Sequence, residues 1–204
     1  MNPFDSIYEN RTPPWEIGRP QGAIVDAAGS VRGRVLDLGC GTGENAIFFA
    51  KRGCEVIGVD GARSAIAAAK RKAIAQGLTN VDFLVHDALA VTALARQFDT
   101  AIDSGFFHTL SDDGRTTYRE ELKNVLVPGA TLLVLCFSDR EPEWGGPRRV
   151  RAEELRETFA APFFVESIVE ARYETNLDQH LATQGARAWL ATVTFIGVSA
   201  AAVS

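Results

Sequence analysis

Short apolar runs alternate with longer amphipathic stretches along most of the chain, and this alternation predicts its secondary structure. Continuous apolar runs rich in β-branched residues are typical of strands that are buried on both faces of a sheet. They predict strands at residues 34–40, 55–60, 81–86, 98–104, 130–137, 163–173 and 186–198. Apolar residues at helical spacing predict helices at residues 19–29, 45–51, 63–76, 88–96, 112–126 and 151–159.

The order of these elements predicts the fold. Strands that alternate with helices form a parallel sheet with right-handed crossover connections. Only a loop, residues 174–184, separates the last two strands, which are therefore expected to form an antiparallel hairpin. The expected fold is α/β, with a doubly wound, Rossmann-like sheet of mostly parallel strands in a single domain that spans residues 1–204. A chain of 204 residues, 46% of them apolar, is large enough to bury such a core.

A glycine-rich turn lies between the first predicted strand and the helix that follows it. Gly39, Gly41 and Gly43 occupy alternate positions after Asp37 in the sequence VLDLGCGTG. Because glycine has no Cβ, a ligand can approach the backbone of such a turn closely. A dinucleotide-binding turn of the G-x-G-x-x-G type would have a glycine where this chain has Glu44, which disfavours a nicotinamide oxidoreductase.

Asp60 ends the second predicted strand, about 20 residues after the first glycine of the turn, as expected of an acid that accepts both ribose hydroxyls. A carboxylate suits a diol and would repel a 2′-phosphate, so a phosphorylated nicotinamide cofactor is disfavoured. The alternative is that Asp60 caps the helix that starts near Arg63. The order of strand, acid and helix favours ribose binding, because it is that of a nucleotide-binding half-fold.

The pattern from Asp37 to Gly43, acidic-x-G-x-G-x-G, resembles motif I of the class I S-adenosylmethionine-dependent methyltransferases, and the resemblance covers nearly the whole chain. It implies S-adenosylmethionine as the cofactor, S-adenosylhomocysteine as its product, and no metal. Asp87 would accept a hydrogen bond from the adenine amine, or would cap the helix that follows. The implied cofactor-binding residues are Trp15, Asp37, Gly39, Cys40, Gly41, Thr42, Gly43, Asn45, Asp60, Gly61, Ala62, Asp87, Ala88, Asp103 and Ser104.

The segment at residues 103–108, with the sequence DSGFFH, bears on the methyl acceptor. It lacks the Asn/Asp-Pro-Pro-Tyr/Phe sequence of methyltransferases that modify adenine or glutamine amides. Two aromatic rings and a histidine instead suit a flat, apolar acceptor. His108 is the candidate catalytic base, because imidazole titrates near neutral pH. Alternatively, it is only a polar side chain next to the following helix.

Two aromatic-rich segments, residues 1–20 and residues 138–150, are expected to cover the acceptor. Their rings would stack on a planar molecule, and an arginine would stabilise an anion on it. The alternatives are that the N-terminal aromatics pack in the core and that the arginines of the second segment pair with Glu153 and Glu154. The candidate acceptor-binding residues are Phe4, Tyr8, Phe106, Phe107, Trp144, Arg148 and Arg149.

The N-terminal segment resembles the cover of small-molecule methyltransferases of the thiopurine and tellurite-resistance type. Residues 103–149 resemble the heterocyclic toxin methyltransferases. Together these resemblances imply methyl transfer to a hydroxyl, nitrogen or thiol of a small, hydroxyquinoline-like heteroaromatic molecule, with detoxification as one possible purpose. A module that binds the cofactor without turnover, and a methyltransferase for another class of small molecule, are the alternatives.

Charge and cysteine content limit the classes of partner and the cellular locations that are expected. The net charge of −5 and the scattered basic residues argue against a nucleic-acid substrate. Cys40, Cys54 and Cys136 show no paired spacing, so they are expected to be reduced thiols rather than disulfides or zinc ligands. A polar N-terminus and short apolar runs predict no signal peptide and no membrane span. The expectation is a cytoplasmic protein, monomeric or weakly dimeric.

Overall fold

The computed structural model describes residues 5, 7, 8, 13–177 and 179–197. Its strands are β1 Arg34–Leu38, β2 Glu55–Asp60, β3 Val81–Val85, β4 Phe98–Ser104, β5 Leu126–Phe137, β6 Phe163–Tyr173 and β7 Ala186–Phe195. Its α-helices from residue 13 onward are α1 Gly22–Asp26, α2 Glu44–Lys51, α3 Arg63–Ala75, α4 Asp112–Val125, α5 Ala152–Thr158 and α6 Gln179–Gln184.

The strands form one sheet in the order β3-β2-β1-β4-β5-β7-β6. The pairs among β1 to β5 are parallel, whereas β7 is antiparallel to both β5 and β6. This confirms the expected doubly wound α/β fold with an antiparallel C-terminal hairpin. The chain leaves β1 towards β2 and β3 on one side and returns to β4 on the other, so the strand order reverses between β1 and β4. A ligand is expected at the carboxyl ends of these two strands.

Two apolar clusters cover the two faces of the sheet. Successive residues of a strand point to opposite faces, and Val35 and Leu36 of β1 accordingly belong to different clusters. In β5, Leu132 and Leu133 divide in the same way, and all four side chains are fully buried. The continuous apolar runs of the sequence therefore correspond to strands covered on both sides, as predicted.

Several predicted boundaries differ from the structure. The predicted helix at residues 88–96 is only a 3₁₀ turn, Val91–Leu94, which ends where Ala95 adopts a left-handed conformation with φ of 50°. The predicted first helix is shortened to α1 and a separate 3₁₀ turn, Ala28–Ser30. The loop predicted at residues 174–184 contains the short helix α6, and β5 begins earlier than expected, at Leu126.

Two further observations concern membrane-spanning helices and the cysteines. Within the described ranges, no helix is both long and apolar enough to cross a membrane. Cys40, Cys54 and Cys136 are all free thiols, as their spacing predicts.

Candidate active site

A cleft of about 1270 Å³ lies at the carboxyl ends of the parallel strands. The glycine turn after β1 and the ends of β2, β3 and β4 form its floor. Residues of the N-terminal segment, the loop after β5 and the end of β6 form its walls. The predicted residues that line the cleft are Tyr8, Trp15, Gly39, Cys40, Gly41, Thr42, Asn45, Asp60, Gly61, Asp87, Ala88, Ser104, Phe106, His108, Trp144 and Arg148.

The glycine turn needs its glycines for two different reasons. All three have positive φ values, of 64° at Gly39, 54° at Gly41 and 85° at Gly43, which other residues rarely adopt. Gly39 and Gly41 also line the cleft, where a Cβ would come within 3.0 Å of Phe106 at Gly39 and within 3.0 Å of the Tyr8 hydroxyl at Gly41. Gly43 is not among the residues that line the cleft, where a cofactor contact was expected. A Cβ there would meet the Phe83 ring of β3 at 2.6 Å, so close packing requires glycine at this position.

Asp37 lies beneath the glycine turn rather than in the cleft. Its side chain is 1% exposed, and its Oδ2 atom has no hydrogen-bond partner among the described residues. Burial raises the pKa of this carboxyl to about 8, and the nearby charges of Asp103 and Asp60 act in the same direction. Direct contact of Asp37 with the cofactor, as expected from the sequence, is therefore replaced by support of the turn from below.

Asp60 faces the cleft from the end of β2. Its carboxylate accepts hydrogen bonds from the backbone N–H groups of Gly41, at 2.9 Å, and Ala62, at 2.7 Å. Burial raises its pKa, and these two hydrogen bonds oppose that effect. Asp60 thus fixes the turn before α3 and the glycine turn together, while its remaining lone pairs are available to a ligand. Ala62 itself is fully buried and does not line the cleft, which corrects its prediction as a contact.

Asp87 faces the same cleft from the loop after β3. Its Oδ1 atom accepts the backbone N–H of Leu89 at 2.9 Å, so the side chain also organises the turn that follows. Ala88 and the half-exposed Val85 line the cleft beside it. Both proposed roles of this aspartate, as a turn cap and as a cleft-facing acceptor, are compatible with this geometry.

Asp103 and Phe107 do not reach the cleft, in contrast to the prediction. Asp103 is fully buried and accepts the N–H groups of Phe106 at 2.9 Å and Phe107 at 3.1 Å, so it shapes the loop after β4. Burial raises its pKa to about 6. Phe107 is fully buried against Tyr118, and the Arg115 guanidinium lies 4.2 Å from its ring centre. Of the two phenylalanines, only Phe106 lines the cleft.

His108 lies on the wall of the cleft but is only 4% exposed. Its Nδ1 atom accepts the backbone N–H of Phe137 at 3.0 Å, and its ring stacks on the Phe137 ring with centres 4.5 Å apart. Burial lowers the pKa of the imidazole to about 3, and the charges of Arg149 and Arg115 lower it further. The ring is therefore neutral at physiological pH and poorly suited to the expected role as a base.

The aromatic residues of the N-terminal segment meet over the glycine turn. Trp15 Nε1–H donates to the Tyr8 hydroxyl at 2.9 Å, and the two rings pack edge to face. The Tyr8 hydroxyl lies 3.0 Å from where a Cβ of Gly41 would stand. Phe4, the third aromatic predicted here, lies outside the described residues.

A polar network that the sequence did not reveal connects this segment to the sheet. Glu16 accepts a hydrogen bond from the Thr42 hydroxyl and pairs with Lys72 of α3 at 3.4 Å. Lys72 also contacts the Thr42 hydroxyl and Glu44, each at 2.5 Å. The partners of Glu16 lie far from it along the chain, so their spacing gave no sign of the contact. The network fixes Thr42 next to the N-terminal segment.

The loop after β5 contributes Trp144 and Arg148 to the cleft. Trp144 Nε1–H donates to Glu141 at 2.7 Å. Arg148 pairs with Asp112 of α4 at 2.6 Å and with Glu154 of α5 at 2.9 Å, which confirms one of the alternative pairings predicted for the loop arginines. Arg149, for which contact with an acceptor was expected, is not among the residues that line the cleft; its guanidinium lies 4.5 Å from the Trp144 ring centre.

The end of β6 and the start of α1 also reach the cleft, although no motif marked them. Arg19 pairs with Glu174 at 2.8 Å, and the Gln21 N–H donates to Asn45 Oδ1 at 3.1 Å, next to the glycine turn. Tyr173 is buried so close to Gly105 that a Cβ there would lie 2.5 Å from its hydroxyl. Among the described residues, no group of three or more histidine, cysteine, aspartate or glutamate side chains could hold a metal ion.

Comparisons with known proteins agree with this geometry. A methyltransferase-domain family profile matches residues 35–129, from β1 to β5. The 2-heptyl-1-hydroxyquinolin-4(1H)-one methyltransferase of Mycobacteroides abscessus is 39% identical over 186 residues, which cover 86% of this chain and 82% of the relative.

Solved structures show the same fold. One, from work on the conversion of a disulfide bond into a thioacetal group during echinomycin biosynthesis, is 36% identical, with a TM-score of 0.81 over 94% of this chain and 91% of the other. TehB from Haemophilus influenzae is 20% identical, with a TM-score of 0.71 over 86% of this chain and 62% of the other. The first of these relationships extends over almost the entire chain.

Proposed function

Because the chain belongs to the S-adenosylmethionine-dependent methyltransferases, we propose that it transfers a methyl group to a hydroxyl, nitrogen or thiol of a small planar heteroaromatic molecule. The observation that carries this proposal is the placement of Asp60 and Asp87. The two carboxylates stand at the ends of neighbouring strands and face one cleft, which Gly39 and Gly41 of the glycine turn also line.

The residues of the cleft fit S-adenosylmethionine. Asp60 would accept the ribose hydroxyls, and Asp87 the adenine amine, with Val85 beside the ring. Gly39 and Gly41 would lie against the methionine part, where the absence of a Cβ permits close approach. Arg19 keeps free N–H donors besides those used by Glu174 and would bind the carboxylate of the cofactor.

The volume of the cleft supports a second ligand beside the cofactor. Pockets that hold one drug-sized ligand measure about 300–1,000 Å³. The cleft exceeds this range, with about 1270 Å³. Phe106, Trp144 and Tyr8 are among the residues that line the cleft. Aromatic walls of this kind favour a planar, largely apolar acceptor.

The relative from Mycobacteroides abscessus supports the class of acceptor that we propose. Its name specifies a 1-hydroxyquinolin-4-one, a planar heteroaromatic compound with a hydroxyl group. The identity of 39% extends over residues that form both the cofactor side and the acceptor side of the cleft. We therefore propose a hydroxyquinoline-like acceptor for this chain as well.

When bound, S-adenosylmethionine supplies a methyl group that its positively charged sulfur already activates. The chain then has to hold the acceptor in line with that methyl group and to exclude water. Phe106, on the loop that Asp103 shapes, would fix one face of the acceptor. Trp15, Tyr8 and Trp144 would close the cleft over it.

Methyl transfer to a panel of heteroaromatic hydroxyls, thiols and amines tests this proposal directly. Incubation with isotopically labelled S-adenosylmethionine should yield a labelled product with at least one planar hydroxyl compound. A module that only binds the cofactor would bind S-adenosylhomocysteine but would form no product with any acceptor. Competition between S-adenosylhomocysteine and NAD adds a check on the cofactor, because an oxidoreductase would prefer NAD.

Further properties belong to the same proposal. We propose a single domain over residues 1–204 that acts in the cytoplasm as a monomer or weak dimer. It would need no metal and would bind neither nucleic acid nor membrane. The planar acceptor suggests a role in the detoxification of heterocyclic compounds.

A further inference from the structure

His108 lines the cleft next to Phe106, and its contacts determine what it offers to a ligand. The histidine Nδ1 atom accepts the backbone N–H of Phe137 at 3.0 Å. A neutral imidazole has one N–H donor and one acceptor nitrogen. Because Nδ1 is the acceptor, the proton of the neutral ring must be on Nε2, which makes Nε2 a hydrogen-bond donor.

The ring that presents this donor is held in one orientation. It stacks on the Phe137 ring with an angle of 29° between the planes, and the Tyr173 ring lies 5.8 Å away. Rotation of the imidazole by a half-turn would break the bond to the Phe137 N–H and leave a buried backbone donor unsatisfied. Because the Phe137 N–H occupies Nδ1, the nitrogen left for a ligand in the cleft is Nε2, a fixed N–H donor.

From this arrangement, we infer that His108 donates a hydrogen bond to the nucleophilic atom of the acceptor and thereby selects acceptors that are already anionic at neutral pH. This inference rests on the proposed function and specifies its substrate class. Acidic hydroxyls or thiols on electron-poor heteroaromatic rings belong to that class. Ordinary phenols, whose pKa is about 10, do not.

The charges around His108 are consistent with an anion at this point. Arg115 from α4 and Arg149 from the loop after β5 both act on the imidazole and disfavour a positive charge there. Arg148 lies at the rim of the same cleft. Tyr173 from β6 is the other titratable group that packs against the ring, and burial keeps its pKa raised, so that it stays neutral. Although Arg115 and Arg148 are themselves paired with carboxylates, a neutral N–H donor near these cations favours an anionic ligand.

The transfer step balances without a protein base. The acceptor loses its proton to solvent before it binds. Its anion donates an electron pair to the methyl carbon, so that an oxygen–carbon or sulfur–carbon bond forms. The bond between that carbon and the donor sulfur breaks, and its electron pair remains on the sulfur. The hydrogen bond from His108 positions the anion for this in-line attack.

Acceptors of graded acidity test the inference with the wild-type enzyme. For a series of ring-substituted hydroxyquinolines, the pH at which kcat/KM reaches half its plateau should follow the pKa of each acceptor. A base in the enzyme would instead give one common inflection and would let the least acidic members react at neutral pH; that result overturns the inference. If no member of the series is methylated at all, it is the proposed function that fails.

Two variants separate donation from packing. His108→Gln keeps an N–H donor near the position of Nε2, whereas His108→Phe keeps a ring without a donor. We expect His108→Phe to lower kcat/KM for the most acidic acceptor by roughly 10- to 100-fold and His108→Gln to lose less. Titration with S-adenosylhomocysteine should give the wild-type affinity and show that each variant is folded. Equal losses in two folded variants would overturn the inference; if either variant does not fold, the acidity series alone decides.

Discussion

At the scale of single residues, the carboxylates of the cleft each have a structural task besides any ligand. Asp60 holds the glycine turn and the turn before α3, and Asp87 organises the turn after β3. Because these bonds fix the two carboxylates, the lone pairs that remain on Asp60 and Asp87 point in defined directions before a ligand binds. Such preorganisation lowers the entropic cost of binding.

Replacement of Asp60 tests the ribose assignment. Asp60→Ala should reduce the affinity for S-adenosylhomocysteine beyond calorimetric detection, because each hydrogen bond to the carboxylate is worth about 1.5–3 kcal/mol. Asp60→Asn should be milder, since its amide oxygen still accepts one bond. The exposed Asp82 of β3 provides the control, and Asp82→Ala should bind as the wild type does. Wild-type affinity in Asp60→Ala would refute the assignment.

Asp37 should make the stability of the protein depend on pH. Its folded-state pKa of about 8 lies above the ordinary value of 3.8, so the folded protein retains a proton that the unfolded chain releases. The stability that this proton provides is complete below about pH 4 and is lost as the pH rises towards 8. In Asp37→Asn this loss is absent. In urea unfolding across this range, the free energy of unfolding of the variant should rise relative to that of the wild type as the pH rises. A constant difference between the two would contradict the assignment.

At the scale of elements, ion pairs attach the loop at residues 138–150 to two helices. Arg148 bridges from the rim of the cleft to Asp112 of α4 and Glu154 of α5, and Glu154 also faces Arg115 at 3.6 Å. The Arg115 guanidinium covers the Phe107 ring, which belongs to the loop that bears His108. The position of the loop is thus linked to the wall of the acceptor site.

Removal of this attachment should weaken the binding of the acceptor more than the binding of the cofactor. Arg148→Ala should raise the KM of the acceptor several-fold, while the affinity for S-adenosylhomocysteine stays unchanged. The free energy of unfolding should change little, because the Asp112 side chain is 87% exposed and that of Arg148 is 37% exposed. Arg156→Ala, which removes a surface pair with Glu153 outside the cleft, is the matched control. An unchanged KM in Arg148→Ala would mean that the loop is positioned by other contacts.

The two covering segments should respond to ligands together. We expect residues 13–20 and 138–150 to gain hydrogen-exchange protection when S-adenosylhomocysteine and a planar acceptor are both bound. Deletion of residues 1–12, which removes Tyr8, should raise the KM of the acceptor, or lower turnover, more than it weakens cofactor binding. If neither segment gains protection, the cover does not exist, and Trp15 and Trp144 serve only in packing.

At the scale of the whole molecule, the sequence predicted the elements that local patterns define. The parallel strands, the glycine turn and the carboxylates at the strand ends follow from apolar periodicity and motif spacing. The depth of a residue beneath the surface does not: Asp37, Asp103 and Phe107 carry suitable chemistry but lie below the cleft. The contacts of Glu16 with Thr42 and Lys72 could not be predicted either, because they join distant parts of the chain.

His108 shows most clearly the difference between what a sequence pattern predicts and what burial determines. Residue type and position suggested a base, because free imidazole titrates near neutral pH. The structure buries the ring against Phe137 and Tyr173, and this burial, together with the charges of Arg149 and Arg115, lowers its pKa to about 3. A sequence identifies a titratable group, whereas burial and neighbouring charges determine its protonation state.

The central claim is that this fold transfers a methyl group from S-adenosylmethionine to a small planar acceptor. Its most direct test is to incubate the protein with methyl-labelled S-adenosylmethionine and a hydroxyquinoline, and to identify the product by mass spectrometry. The account predicts a singly methylated hydroxyquinoline in stoichiometric balance with S-adenosylhomocysteine, and a greatly reduced yield with Asp60→Ala. Tight binding of S-adenosylhomocysteine with no methylated product from any heteroaromatic hydroxyl, thiol or amine would contradict it.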